Sequence, residues 1–278
     1  MKTILVPVDF SHNSRQALDF ALEFNELIKG EILLVHVLDL PIAKQGFVGL
    51  ATRANMEVFY GKEAVERAHN QLKGWESEVS AKGNFVRSTL KYGNPYQNIS
   101  EVVPEENADW IIMGSKGASG LREVFIGSNA ERMIRYAQCP VFTIKGESHV
   151  DEIRSIVFAT DGTEEQDGLA DRIKELQEIL PLTVHLVKVR TYEFENEEEE
   201  LETLRLYAAR NDLKNYTLNS YLAAFPDQGI VAFAQQVRSG LVVLGTHGRT
   251  GISHLFSGSW AEDVANESTL PVLTYRIN

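Results

Sequence analysis

The chain repeats itself. GSKGASGLREVFIGSN (Gly114–Asn129) and GTHGRTGISHLFSGSW (Gly245–Trp260) both read Gly, two residues, Gly, nine residues, Gly-Ser, and they start 131 residues apart. Other segments recur in the same order. KTILVPVDFS (Lys2–Ser11) matches RSIVFATDGT (Arg154–Thr163), and EILLVHVLD (Glu31–Asp39) matches TVHLVKVRT (Thr183–Thr191). ADWIIMG (Ala108–Gly114) matches SGLVVLG (Ser239–Gly245), and CPVFTIK (Cys139–Lys145) matches LPVLTYR (Leu270–Arg276). Repetition on this scale restricts the fold more than any local propensity does. It divides the 278 residues into two copies of one unit, 1–147 and 152–278, joined near the polar stretch Gly146–Glu152. The copies are unequal: Asp9 to Gly114 spans 105 residues and Asp161 to Gly245 only 84, so a trimmed helix or loop is expected between the second and fourth strands of the second copy.

Each copy alternates apolar strands with amphipathic helices. After Asp9, Ser11 and Ser14 are N-cap candidates, Ala17, Ala21, Phe24 and Ile28 share one helical face, and Gly30 reads as a stop. A longer helix is expected from about Arg53 to Lys82, a short one in NPYQNISEVVPEEN that Pro104 bends or ends, and another over Ser128–Gln138. Near-continuous apolar strands between helices predict an α/β fold with a parallel sheet covered on both faces. Right-handed crossovers then make each copy a doubly wound five-stranded sheet of Rossmann-like or flavodoxin-like type.

Such sheets bind ligands beyond the carboxyl ends of their strands. Asp9 ends the first strand and Gly114 the fourth, so both are expected at one crevice. Gly114 and Gly117 allow a sharp turn and close approach of the backbone. Gly127 and Ser128 open a helix whose free N–H groups and positive dipole end suit a phosphate. A plain turn with an ordinary helix cap is the competing reading of one copy. Two copies with one spacing, each paired with a strand-end aspartate, favour a site from a nucleotide-binding ancestor.

The strand-end PVDFS, the Gly-2X-Gly-9X-Gly-Ser pattern and CPVFTIK together resemble the universal stress protein family, here as two tandem domains covering nearly the whole chain. The resemblance implies strand order 3-2-1-4-5, pairing of the domains through their fifth strands, a cytoplasmic stress-response role and, in the branch carrying the glycine motif, ATP binding. Mapped onto this sequence, the implied site in the first copy comprises Pro7, Val8 and Asp9, then Val37 against the base. Met113, Gly114, Gly117, Gly127, Ser128 and Asn129 would hold ribose and phosphates. The second copy offers Ala159, Thr160, Asp161, Val189, Leu244, Gly245, Gly248, Gly258 and Ser259, with Arg249 as a phosphate contact where the first copy has Ala118. It departs from the pattern at Ala159, which replaces a proline, and at Trp260. That indole would either occlude the phosphate pocket or pack on the partner domain. The first copy is therefore the better candidate for occupancy.

A net charge of −12 argues against a nucleic-acid groove, which needs clustered Lys and Arg. Part of that charge lies in the acidic stretch Tyr192–Leu206, read as a solvated loop leading into an exposed helix. No apolar run is long enough for a bilayer-spanning helix, and no signal peptide is evident. Cys139, the only cysteine, permits no intrachain disulfide and reads as a buried thiol beside Pro140. His36 and His185 read as packing residues. His247 and His254, in the second glycine loop, make at most a weak metal pair. Asp9 or Asp161 could help hold Mg²⁺ on a bound triphosphate. No nucleophile elbow, zincin pair or Walker loop occurs, and with no candidate base or arginine finger at a defined position at most slow ATP hydrolysis is expected. The leading expectation is a nucleotide-dependent regulatory or interaction module. The alternative is a scaffold or small-molecule-binding module with one or both sites degenerate, and an adenylating enzyme ranks last. A further homodimer stays open.

Overall fold

The computed structural model describes residues 1–39, 61–116, 126–192, 196–247 and 258–277. The apolar runs become strands, buried on both faces inside the sheet and only partly buried at its two edges. In the first half these are β1 (Thr3–Pro7), β2 (Glu31–Leu38), β3 (Phe85–Tyr92), β4 (Trp110–Gly114) and β5 (Val141–Ile144). In the second they are β6 (Ser155–Ala159), β7 (Thr183–Arg190), β8 (Tyr216–Leu222), β9 (Leu241–His247) and β10 (Val272–Ile277). Each half has the order 3-2-1-4-5 with parallel neighbours, and the halves fuse into one ten-stranded sheet, β3-β2-β1-β4-β5-β10-β9-β6-β7-β8. The seam is the single antiparallel pair among the described residues, in which Val272, Leu273 and Thr274 oppose Thr143, Phe142 and Val141.

The helices are α1 (His12–Ile28), α2 (Lys62–Ala81), α3 (Pro95–Glu105), α4 (Ser128–Tyr136), α5 (Asp167–Ile179), α6 (Glu197–Arg210), α7 (Pro226–Gln236) and α8 (Gly258–Glu267). One face of the sheet packs against α1, α2, α5 and α6 in a core that runs unbroken across the seam. It includes the aromatic group Phe20, Phe24, Trp110 and Phe142, with ring centroids about 5.5 Å apart where they meet (Phe24 and Phe142, 5.5 Å). The other face carries two separate clusters, one under α3 and α4 and one under α7 and α8. Ile134 of α4 belongs to the second half's cluster.

Several local details differ from the pattern-based expectation. Ser11 alone is the N-cap of α1, accepting the Ser14 N–H at 3.2 Å, while Ser14 is buried and its Oγ donates to the Ser11 carbonyl. The stop after α1 is Lys29, left-handed at φ 52°. Gly30 serves another purpose, since a Cβ there would lie 2.3 Å from the Lys2 carbonyl oxygen. The second helix begins at Lys62, residues 53–60 lying outside the described ones, and α4 ends at Tyr136, two residues early. Pro104 sits inside α3, whose last residue is Glu105. The deficit of the second copy has two parts: α6 has 14 residues against 20 in α2, and residues 191–196 replace 39–61 before it. In the acidic stretch, Asn196 caps α6 with its side chain, and Glu197 to Glu200 occupy the first turn, where carboxylates suit the helix dipole.

Candidate nucleotide-binding cleft

Because strands alternate their side chains, Leu5 packs in the cluster under α3 and α4 while Val6 belongs to the core under α1, and Pro7, Val8 and Asp9 follow at the carboxyl end of β1. The residue after Asp9 turns the chain: Phe10 is left-handed at φ 62°, and the Asp9 carboxylate accepts the Ser11 N–H at 3.0 Å. The second half repeats this turn, with Gly162 at φ 79° and Asp161 accepting the Thr163 N–H at 3.2 Å.

In the first half the carboxyl ends of β1, β2 and β4 meet the start of α4 around one cleft. Its lining includes Pro7, Val8, Asp9, Val37, Met113, Gly114, Gly127, Ser128 and Asn129. Of the first-copy site residues, Gly117 alone lies outside the described residues. Val35, Val37, Ile99 and Met113 supply apolar surface, and Asp9, Lys116, Ser128 and Asn129 polar groups. Gly127, the N-cap of α4, offers no side-chain cap to that helix. Its own N–H donates to the Ser115 carbonyl at 2.8 Å, which ties the start of α4 to the end of β4. The lining combines apolar side chains with a helix N-terminus and a lysine, groups that can meet a flat apolar ring and an anion.

Sequence reasoning missed Ser14, Val35, Pro95, Ile99, Ser115, Lys116 and Ala130, which also line the cleft. Val35 was findable, since it shares a strand face with Val37. Pro95 and Ile99 were not, because only the crossover of α3 brings them there. His36 faces away, its Nδ1 2.7 Å from the Val8 carbonyl and its ring 4.5 Å from Phe10. Burial holds this imidazole below its ordinary pKa.

The second half differs at the corresponding place. Ala159 lies in the cluster beneath α7 and α8, with Val189 and Leu244. Thr160 is fully buried, accepts the Gly162 N–H at 3.0 Å and bonds to Gln166. Gly245 sits inside β9, which runs on to His247 paired with Ile277, whereas β4 ends at Gly114. An interior strand residue rather than the last residue of a strand therefore occupies this motif position. Helix α7 presses on β7: a Cβ at Gly229 would lie 2.7 Å from Val189 Cγ1 and 2.8 Å from Ala223 Cβ. Gly258 and Ser259 open α8, followed by a half-buried Trp260. Gly248, Arg249 and His254 lie outside the described residues. His185 bonds to Thr217 Oγ1 at 2.8 Å and packs edge-on to Phe233, a packing role. Among the described residues, no group of three or more His, Cys, Asp or Glu gathers to hold a metal, and no helix is long and apolar enough to cross a membrane.

The model of the universal stress protein family matches the chain twice, over residues 1–145 and 152–276. A universal stress protein of Methanocaldococcus jannaschii is 31% identical over 155 residues, 52% of this chain and 94% of that one. One from Synechocystis is 23% identical along 99% of this chain and 100% of its own length. The crystal structure of a universal stress protein from Archaeoglobus fulgidus superposes with a TM-score of 0.76 at 21% identity, covering 99% of this chain and 96% of that one. With two matches in tandem and the same fold end to end, the chain belongs to the universal stress protein family.

Proposed function

We propose that the first half binds ATP in the cleft between β1, β2 and β4, and that the chain acts as a nucleotide-dependent regulatory or interaction module in the cytoplasm. One observation carries this reading. Residues named from four separate sequence segments, Pro7 to Asp9, Val37, Met113–Gly114 and Gly127 to Asn129, line a single cleft. Val37 and Ile99 would flank the base, and the α4 N-terminus and Lys116 would meet the phosphates. Asp9 would help position Mg²⁺ through the triphosphate.

We further propose that the second half has lost its nucleotide and serves as a scaffold. The close seat of α7 on Val189, the residue expected against the base, supports this, as does the continuation of β9 past Gly245. Native mass spectrometry with ATP and Mg²⁺ tests both statements. One bound nucleotide is expected, lost in Gly127→Val and kept in Gly258→Val. Two nucleotides per chain would refute the scaffold reading, and none at millimolar ATP would refute the nucleotide reading.

A further inference from the structure

The two glycine motifs are not supported by their own halves alone. The Ile126 N–H, directly before Gly127, donates to Asn266 Oδ1 at 2.5 Å across 140 residues of sequence. Asn266 stands on the last turn of α8, the helix that opens from the motif of the second half. Lys145 Nζ donates to the Asn266 carbonyl at 2.5 Å, a cation placed at the C-terminal end of α8 where the helix dipole favours it. The Ile126 side chain packs in both the first and the second half's clusters. In the opposite direction, Thr246, directly after Gly245, donates through Oγ1 to the Ile134 carbonyl of α4 at 3.2 Å. Each motif thus rests on the helix that starts from the other.

We propose that Asn266 is a positioning residue for the phosphate end of the first half's cleft, so that this site is completed by the second half. The proposal rests on the nucleotide reading above. A phosphate held by the N–H groups of a helix start needs those groups fixed before it arrives, because ordering them on binding would cost affinity. Immediately before Gly127, Ile126 takes a directed polar contact from the second half. Ion pairing between the same two helices is separate: Arg135 of α4 meets Glu262 of α8 at 2.7 Å, away from Ile126.

The test compares the full-length wild type with Asn266→Ala, Asn266→Asp and Glu262→Gln. Isothermal titration with ATP and Mg²⁺ is read beside hydrogen exchange at the Ile126 amide without ligand. Loss of one hydrogen bond to a partly buried amide should weaken ATP binding about tenfold in Asn266→Ala and speed exchange at Ile126. Asn266→Asp keeps the accepting oxygen, with Lys145 beside it to offset the new charge, and should restore both readouts. Glu262→Gln should break the ion pair and leave both near wild type. Wild-type affinity and unaltered Ile126 exchange in Asn266→Ala would overturn the proposal, as would an equal loss in Glu262→Gln, which would make general docking the cause. A wild type that binds no ATP would defeat the nucleotide reading, and the exchange data would still decide whether Asn266 holds Ile126.

Discussion

Gly114 lies against the main chain of Asn13: a Cβ at 114 would stand 2.8 Å from the Asn13 carbonyl oxygen and 2.9 Å from its carbon. Backbone cannot yield as a side-chain tip can. Gly114→Ala is therefore expected to cost about 1–3 kcal/mol through overpacking. At the matching Gly245 the nearest atom is Ile277 Cδ1 at 3.2 Å, the far end of a flexible side chain, so Gly245→Ala should cost less. Urea denaturation of the two variants checks this, and equal losses would contradict it.

The residue after each strand-end aspartate is left-handed, yet one half uses phenylalanine and the other glycine. Phe10 offsets its backbone strain by packing on His36 at 4.5 Å and edge-on to Trp75 at 5.4 Å. Gly162 has no such room, because a Cβ there would lie 2.9 Å from Thr203 Cγ2. Gly162→Ala should destabilise by about 1–3 kcal/mol, combining strain and contact. Phe10→Gly should destabilise too, because it removes more ring packing than it relieves strain. Thermal melts of both variants decide; a stabilised Phe10→Gly would show that the strain dominates.

Helices α1 and α2 are pinned by Arg15, which donates to Glu78 Oε2 at 2.7 Å and Oε1 at 2.6 Å. Hydrogen bonding from that guanidinium pushes the Glu78 carboxyl down to about 2 from 4.5. The folded state therefore holds this proton less readily than the unfolded state does. The stabilisation is present in full above the unfolded pKa and fades as pH falls from near 4.5 through about 2. Both side chains are partly solvated, so Glu78→Gln should cost about 1 kcal/mol or less at neutral pH. The gap between wild type and variant should close on acidification. A gap that held steady down to pH 2 would mean the pair contributes by shape alone.

Burial pushes the Cys139 thiol up to about 12, with the Asp109 charge adding to the shift. Almost no thiolate exists at neutral pH, so a disulfide reagent should leave the native protein untouched and label one thiol per chain after unfolding. Rapid labelling of native protein would show that the segment leading into β5 opens.

The sequence by itself determined what pattern and spacing carry. Apolar runs of strand length, helical faces such as Ala17, Ala21 and Phe24, and the doubled glycine motif were enough for two α/β units, and family resemblance supplied strand order and the pairing of fifth strands. Nine of the residues that line the first half's cleft were legible because they sit at strand ends and a helix start, positions that local signals mark. The tertiary structure alone decided the contacts between segments far apart in the chain. It set Gly30 against Lys2 and Gly114 against Asn13, carried Pro95 and Ile99 into the cleft, and brought Asn266 to Ile126. It also made matching glycines unlike, since Gly245 continues in a strand where Gly114 ends one. The physical reason is that a residue's own pattern reports which face it buries. What it meets there depends on how helices and strands from elsewhere in the chain are seated, and only packing sets that.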